Sequence, residues 1–269
     1  MKRRWFLATT AAVACLTVGL TTACGGNSPS AEGGSAEGGE AQVLVMATSA
    51  DYPPYEFVET AGGTEEIVGF DIDIARHIAT ELGYELEITN MDFNGLIPAL
   101  QAGRADFVMA GMTPTEERKQ NVDFSAIYYE AKNMLVFPAS ENITGVEDLA
   151  GKTLGVQLGS IQEGLGNDLV AATPSIKLSP LNRINEIVQE LKSGRINAAI
   201  IEDTVAAGFL ANNPDLKAVE IADEEASGSA IAFPKGSDKL EDFNRVLAEM
   251  QSSGMMEDLI LKWFGDGEE

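Results

Sequence analysis

Apolar positions along the chain fall into short runs whose spacing switches between two residues and three to four. Residues 43–47 (VLVMA) read as a strand, and 72–82 as a helix with Ala75, Ile78, Ala79 and Leu82 on one side. Residues 85–89 predict a strand, 95–101 a helix and 106–110 (DFVMA) a strand. A second series follows, with strand 153–157, helices 162–170 and 184–191, strand 198–201 and helix 204–210. The tail, 240–263, predicts two helices broken at Ser253-Gly254. Repeated strand–helix alternation implies parallel sheets in α/β domains. No short-period repeat interrupts it.

Two segments stand outside this pattern. Met1-Lys2-Arg3-Arg4 is a basic head and residues 5–22 are apolar, small or Thr, which predicts an export signal over residues 1–23. Cys24 follows Ala23 and resembles the lipid-bearing cysteine of a bacterial lipoprotein signal, although Thr21 stands where an aliphatic residue is usual. Arg3-Arg4-Trp5-Phe6-Leu7 also resembles a twin-arginine motif, so the export route stays open. Residues 24–41 then form the lipidated cysteine and a Gly/Ser/Glu-rich linker, whose 17 residues after Cys24 reach roughly 20–25 Å as a flexible coil. The expected location is extracytoplasmic, anchored to the cell membrane through Cys24.

Composition narrows the partners. The chain has 269 residues and two cysteines, Cys15 and Cys24, so the exported domain is expected to rely on its core and not on a disulfide. Three of 18 basic residues lie in the head; without it, 15 face 42 acidic residues, a formal net charge of −27. That charge excludes nucleic acid and a bare anionic membrane surface as partners; it either draws in cationic small molecules or is a solubility adaptation, for example to salt, the more common reason for an acidic surface. A monomer is expected.

The chemistry-bearing stretch is MAGMTPTEER, residues 109–118. Thr113 suits a helix N-cap and Pro114 the first helical turn, leaving free N–H groups, a hydroxyl and the Arg118 guanidinium together, either as a place for an anion or as an ordinary strand-to-helix turn with a solvated arginine. Residues 145–153 (GVEDLAGKT) imitate a phosphate loop, but five residues separate the glycines where four are required, and Lys152-Thr153 opens a strand. His77 is the only histidine and reads as a surface residue. No metal or cofactor is expected.

Further segments complete a recognisable set: TSADYPPYEF (48–57), GFDIDI (69–74), MDF (91–93), QLGSIQE (157–163), IEDTVA (201–206), AFPKGS (232–237) and KWFG (262–265). Together with AGMTPTEERK they resemble the polar amino-acid family of extracellular solute-binding proteins, which serve ABC importers, over essentially the whole exported domain. The resemblance implies an α/β, two-lobed periplasmic-binding-protein fold of type II with two hinge crossings. By position, lobe 1 is 42–129 plus 231–269 and lobe 2 is 130–230. It implies further that Arg118 grips a ligand α-carboxylate with backbone groups of Thr113 and Ser160. The Gly111 backbone, the Thr113 hydroxyl and Asp203 take the α-ammonium. Tyr52 and Phe93 are aromatic walls, Ser49 adds a hydroxyl, and Ile161 offers a backbone contact alone. The wording is nearest to arginine- and basic amino-acid-binding members, so the expected ligand is arginine, then lysine or histidine, delivered to an ABC permease. Asp51 and Glu202 either supply negative charge to a cationic side chain or face water. Glutamine is the alternative ligand, and a cyclohexadienyl dehydratase-like enzyme on the same fold the alternative function; a receptor without catalytic residues is preferred.

Overall fold

A computed structural model describes residues 42–221 and 227–265, so the export signal, Cys24 and the linker to residue 41 lie outside the described residues. The chain opens with β1 (Val43–Thr48), β2 (Asp51–Tyr52), β3 (Glu56–Ala61), β4 (Thr64–Val68), α1 (Phe70–Glu81) and β5 (Glu85–Asn90). There follow α2 (Leu96–Gln101), β6 (Phe107–Val108), α3 (Glu116–Lys119), β7 (Val122–Phe124), β8 (Tyr129–Ala131) and β9 (Asn133–Pro138). The middle comprises β10 (Thr153–Gln157), α4 (Ile161–Ala172), β11 (Lys177–Leu181), α5 (Ile184–Ser193), β12 (Ala198–Glu202), α6 (Asp203–Asn212) and β13 (Leu216–Glu220). The chain then returns through β14 (Ser227–Ser229) and β15 (Ala232–Pro234) to α7 (Leu240–Ser253) and α8 (Met255–Phe264).

Of these strands, β2-β3-β4 form a separate three-stranded antiparallel sheet, and ten others form two five-stranded sheets, ordered β5-β1-β6-β15-β7 and β11-β10-β12-β9-β13. In each, the first strand–helix–strand unit pairs in parallel, Val43 opposite Glu85 and Thr153 opposite Lys177, as a crossover helix requires. The chain passes between the sheets twice, and the passages pair with each other: β8 and β14 run antiparallel with Tyr129 opposite Ser229. This is the two-lobed α/β architecture with two hinge crossings.

Local chemistry explains the better-read elements. α1 buries Phe70, Ile72, Ile74, Ala75 and Ile78, close to the stripe read from its spacing. Its entry needs a glycine. Gly69 sits at φ 138°, and an added Cβ would fall 2.1 Å from the Tyr55 carbonyl oxygen, which accepts the Asp71 N–H. The tail breaks where expected, at Gly254 (φ 84°), which ends α7 and caps α8.

Three readings need correction. The strand expected over 106–110 pairs only at Phe107–Val108, because the chain turns at Gly111 (φ 53°). The N-cap near Arg118 is Thr115 and not Thr113: Thr115 Oγ accepts the Arg118 N–H, while the Thr113 carbonyl is taken by the guanidinium. Pro114 therefore precedes the helix instead of opening it. Strands β2, β3, β4, β7, β9, β11, β13 and β15 are absent from the sequence reading. β9 (NMLVFP) lacks alternation because it lies inside its sheet, and β11 carries Pro180, tolerated because β11 is an edge strand.

Candidate functional site

The site grows from segments that follow strand ends in both sheets. Ser49 comes from the turn after β1 and Tyr52 from β2, Phe93 precedes α2, and Gly111 and Thr113 follow β6. Gln157, Ser160 and Ile161 lie between β10 and α4. With Glu56, Ala110, Arg118 and Gln162 they line one narrow cavity. Ser49, Tyr52, Phe93, Gly111, Thr113, Arg118, Ser160 and Ile161 are thus brought together. Asp203 is not among the lining residues; it is half-buried at the start of α6, where its carboxylate accepts the Thr204 N–H at 2.7 Å.

Arg118 is the cavity's cation. It is only 9% exposed, and its guanidinium donates to the Thr113 carbonyl at 2.8 Å and the Gly159 carbonyl at 2.9 Å, one from each lobe. Its carbon lies 5.3 Å from the Phe93 ring centroid, a cation–π contact. Burial pulls its pKa down to about 10, partly offset by Glu117, so it stays charged at neutral pH. Among the described residues no carboxylate pairs with it in an ion pair. Facing it is the N-terminus of α4. Ser160 caps that helix, its Oγ accepting the Glu163 N–H and donating to the Gln157 carbonyl. The Ser160 N–H is engaged with Gln157 O at 3.2 Å, so the groups left at this end are the first-turn N–H donors.

Behind the cavity lining lies a buried acidic group. Asp51 and Glu202 are 3% and 5% exposed, which excludes the reading that they face water. Asp51 accepts from Ser49 Oγ at 3.0 Å and from the Ile184 N–H at 2.6 Å. Glu202 accepts from the hydroxyls of Tyr55 and Thr204, and burial pushes its pKa up to about 8. Asp71, raised by burial to about 6, accepts from the Gly111 N–H and the Tyr128 hydroxyl. Its role at the start of α1 is therefore tertiary, holding the Gly111 turn in place.

Glu56 was not singled out from the sequence. It is fully buried and lines the cavity; no N–H or hydroxyl among the described residues reaches its oxygens, and its one partner is the Asp71 carboxylate, to which the protonated Glu56 donates. Burial, then the neighbouring Asp71 and Asp51 charges, raise its pKa well above the usual carboxylate range. Across the cavity lining, the buried Gln157 amide nitrogen also lacks a partner. Alternation along β3 could not reveal Glu56, since Val58 on the same face is exposed. The pairing of Tyr52 opposite Glu56 could, because it sets Glu56 beside a residue already assigned to the cleft.

Fold and cleft together define a two-lobed α/β binding protein of the type II periplasmic class. Residues 44–266 match the bacterial extracellular solute-binding proteins, family 3, and the chain belongs to that family. It is 46% identical over 264 residues to the arginine-binding extracellular protein ArtP of Bacillus subtilis (strain 168), covering 97% of this chain and 98% of ArtP. The amino acid ABC transporter substrate-binding protein AbpA from Streptococcus pneumoniae, solved bound to L-arginine, is 38% identical, with TM-score 0.78 over 82% of this chain and 94% of AbpA. An ancestral arginine-binding protein solved bound to glutamine is 41% identical, with TM-score 0.76 over 85% of this chain and all of that one.

Proposed function

We propose that this chain is an extracytoplasmic receptor that closes on a cationic amino acid, arginine first, and delivers it to an ABC importer. The observation that carries the reading is Glu56, a buried carboxyl group that lines the cavity with no cation and no N–H or hydroxyl donor on it, where the other charged lining group is Arg118. An α-amino acid with a positive side chain complements both ends: its carboxylate meets Arg118 and the α4 N-terminus, its distal cation meets Glu56. The Gln157 and Gln162 amides add hydrogen-bonding groups, and Tyr52 and Phe93 supply flat walls. Gly111, Thr113 and Asp203 take the α-ammonium. The relatives named for arginine support the same ligand. Glutamine is the second reading, favoured by the glutamine-bound ancestral relative and by a Glu56 that holds its proton. We propose no catalytic role. The Arg118 and Asp203 clamp suits a zwitterion held unchanged, and incubation with prephenate or arogenate followed by product analysis is expected to show no conversion.

The lobes in this reading are 42–129 plus 231–269 and 130–230, and the receptor works as a monomer. A thermal-shift screen of the twenty amino acids tests the ligand class. At about a hundred times its Kd a ligand stabilises the fold by about 2.7 kcal/mol, which raises Tm by roughly 5–10 °C in a domain of this size. Arginine is expected to give the largest rise, lysine or histidine less, glutamine less again, and glutamate or aspartate none. A largest rise with an acidic amino acid would refute the assignment.

We further propose that Cys24 carries a lipid that ties the receptor to the membrane through the 24–41 linker. In a producing cell, Cys24→Ala is expected to release the protein from the membrane fraction with its amino-acid affinity unchanged. Retention of that variant would exclude the anchor.

A further inference from the structure

We infer that Asp51 is a latch between the lobes, a positioning residue that sets ligand affinity without touching the ligand. The inference rests on the receptor reading above. Asp51 belongs to β2, beside the first sheet, whereas α5 packs on β10, β11 and β12 of the second. A helix start needs an acceptor for its free N–H groups. Arg183, at the N-cap of α5, provides no side-chain cap. The acceptor comes instead from the other lobe: Asp51 Oδ2 takes the Ile184 N–H at 2.6 Å. Its second oxygen, Oδ1, accepts from Ser49 Oγ at 3.0 Å, which orients the carboxylate toward the helix. One residue away, Arg183 pairs with Asp92 of the first lobe at 2.8 Å, so the same junction carries a second link.

Two alternatives are weaker. Asp51 does not solvate itself, being 3% exposed, and it is absent from the cavity lining although its neighbours Ser49 and Tyr52 are present. Both oxygens are committed, so Asp51 is not the carboxylate that reads a cationic ligand side chain. Opening the cleft would separate β2 from α5 and remove the cap. A charge-assisted cap of this kind, made only in the closed form, raises the closed fraction by about tenfold. Because the ligand binds the closed form, its apparent affinity follows that fraction.

The test uses the exported chain, calorimetric titration with arginine and with glutamine, and small-angle X-ray scattering. Asp51→Ala removes the acceptor and is expected to weaken both ligands by about tenfold, leaving their ratio unchanged. Asp51→Asn keeps an oxygen able to cap and is expected to hold both affinities within about threefold of the parent. An Asp51→Ala variant within twofold of the parent overturns the latch. So does an Asp51→Asn variant that loses arginine while keeping glutamine, since that result would make Asp51 a ligand contact. A parent chain that binds neither amino acid overturns the receptor reading and not the latch. The latch is then decided by scattering of the ligand-free proteins, where Asp51→Ala must give the larger radius of gyration and an equal radius overturns it.

Discussion

Arg118→Met weakens amino-acid binding by roughly thirty- to several-thousand-fold. In this reading its charge meets the carboxylate of a bound zwitterion in a closed cleft. Truncating one partner of such a pair costs about 2–5 kcal/mol, much of it from leaving the other charge buried and unpaired. At 1.4 kcal/mol per tenfold, that is the stated range. The side chain of Arg118 is prepared for the task. Phe93 stacks on it, and the Thr113 and Gly159 carbonyls hold its plane, so little side-chain freedom is lost on binding. The measurement is calorimetric titration of variants whose melting curves remain cooperative. A change below about threefold for a folded Arg118→Met would place the ligand carboxylate elsewhere.

Glu56→Gln removes the preference for arginine over glutamine, with a loss of at least about thirtyfold for arginine and little for glutamine. The same range for breaking a buried charge pair applies. Stability moves the other way. Glu56 keeps its proton in the folded, ligand-free chain at pH values where an unfolded glutamate has released it, because burial and the nearby Asp71 and Asp51 disfavour its charged form. A glutamine avoids that cost, so the ligand-free Tm of Glu56→Gln rises at pH 7. A raised pKa gives stability that is fully present below the ordinary carboxylate range and is lost as pH rises toward the folded-state value. Asp71 at about 6 and Glu202 at about 8 act in the same direction. Arrival of a cationic side chain reverses the balance and expels a proton from this group of carboxylates. Arginine affinity therefore increases with pH for as long as the ligand-free chain still holds that proton, by up to about tenfold per unit for one proton released. Glutamine affinity stays flat. Calorimetry in two buffers of different ionisation enthalpy reads the proton directly. Equal heats in both buffers and a flat arginine profile would remove Glu56 from the specificity role.

The order of strands and helices was legible in the sequence wherever one face of an element is buried and the other wet. The stripe of α1, the alternation around β1 and β5, and the Ser253-Gly254 break all carry a local signal, because periodicity and turn chemistry act over a few residues. So did the residues of MAGMTPTEER and QLGSIQE, whose glycines, hydroxyls and arginine mark strand-to-helix turns, and with them the family itself. The members of the cavity other than Glu56, Ala110, Gln157 and Gln162 are candidate site residues on these motifs.

What lay beyond the sequence depends on pairings between distant segments. Glu56 and Glu59 are both glutamates in one strand, yet one is fully buried beside Tyr52 and the other solvent-facing, a difference set by the β2–β3 pairing and the packing of that hairpin on α1. Glu202 meets Tyr55 across 147 positions of chain, and Asp51 meets Ile184 across 133. Such contacts leave no trace in local spacing, since any acidic residue near a turn looks the same until the two sheets are set against each other. Charge at pH 7 follows the same division. The sequence alone determines how many carboxylates the chain carries, and burial between the lobes decides which of them keep their protons and which are free to meet a cation.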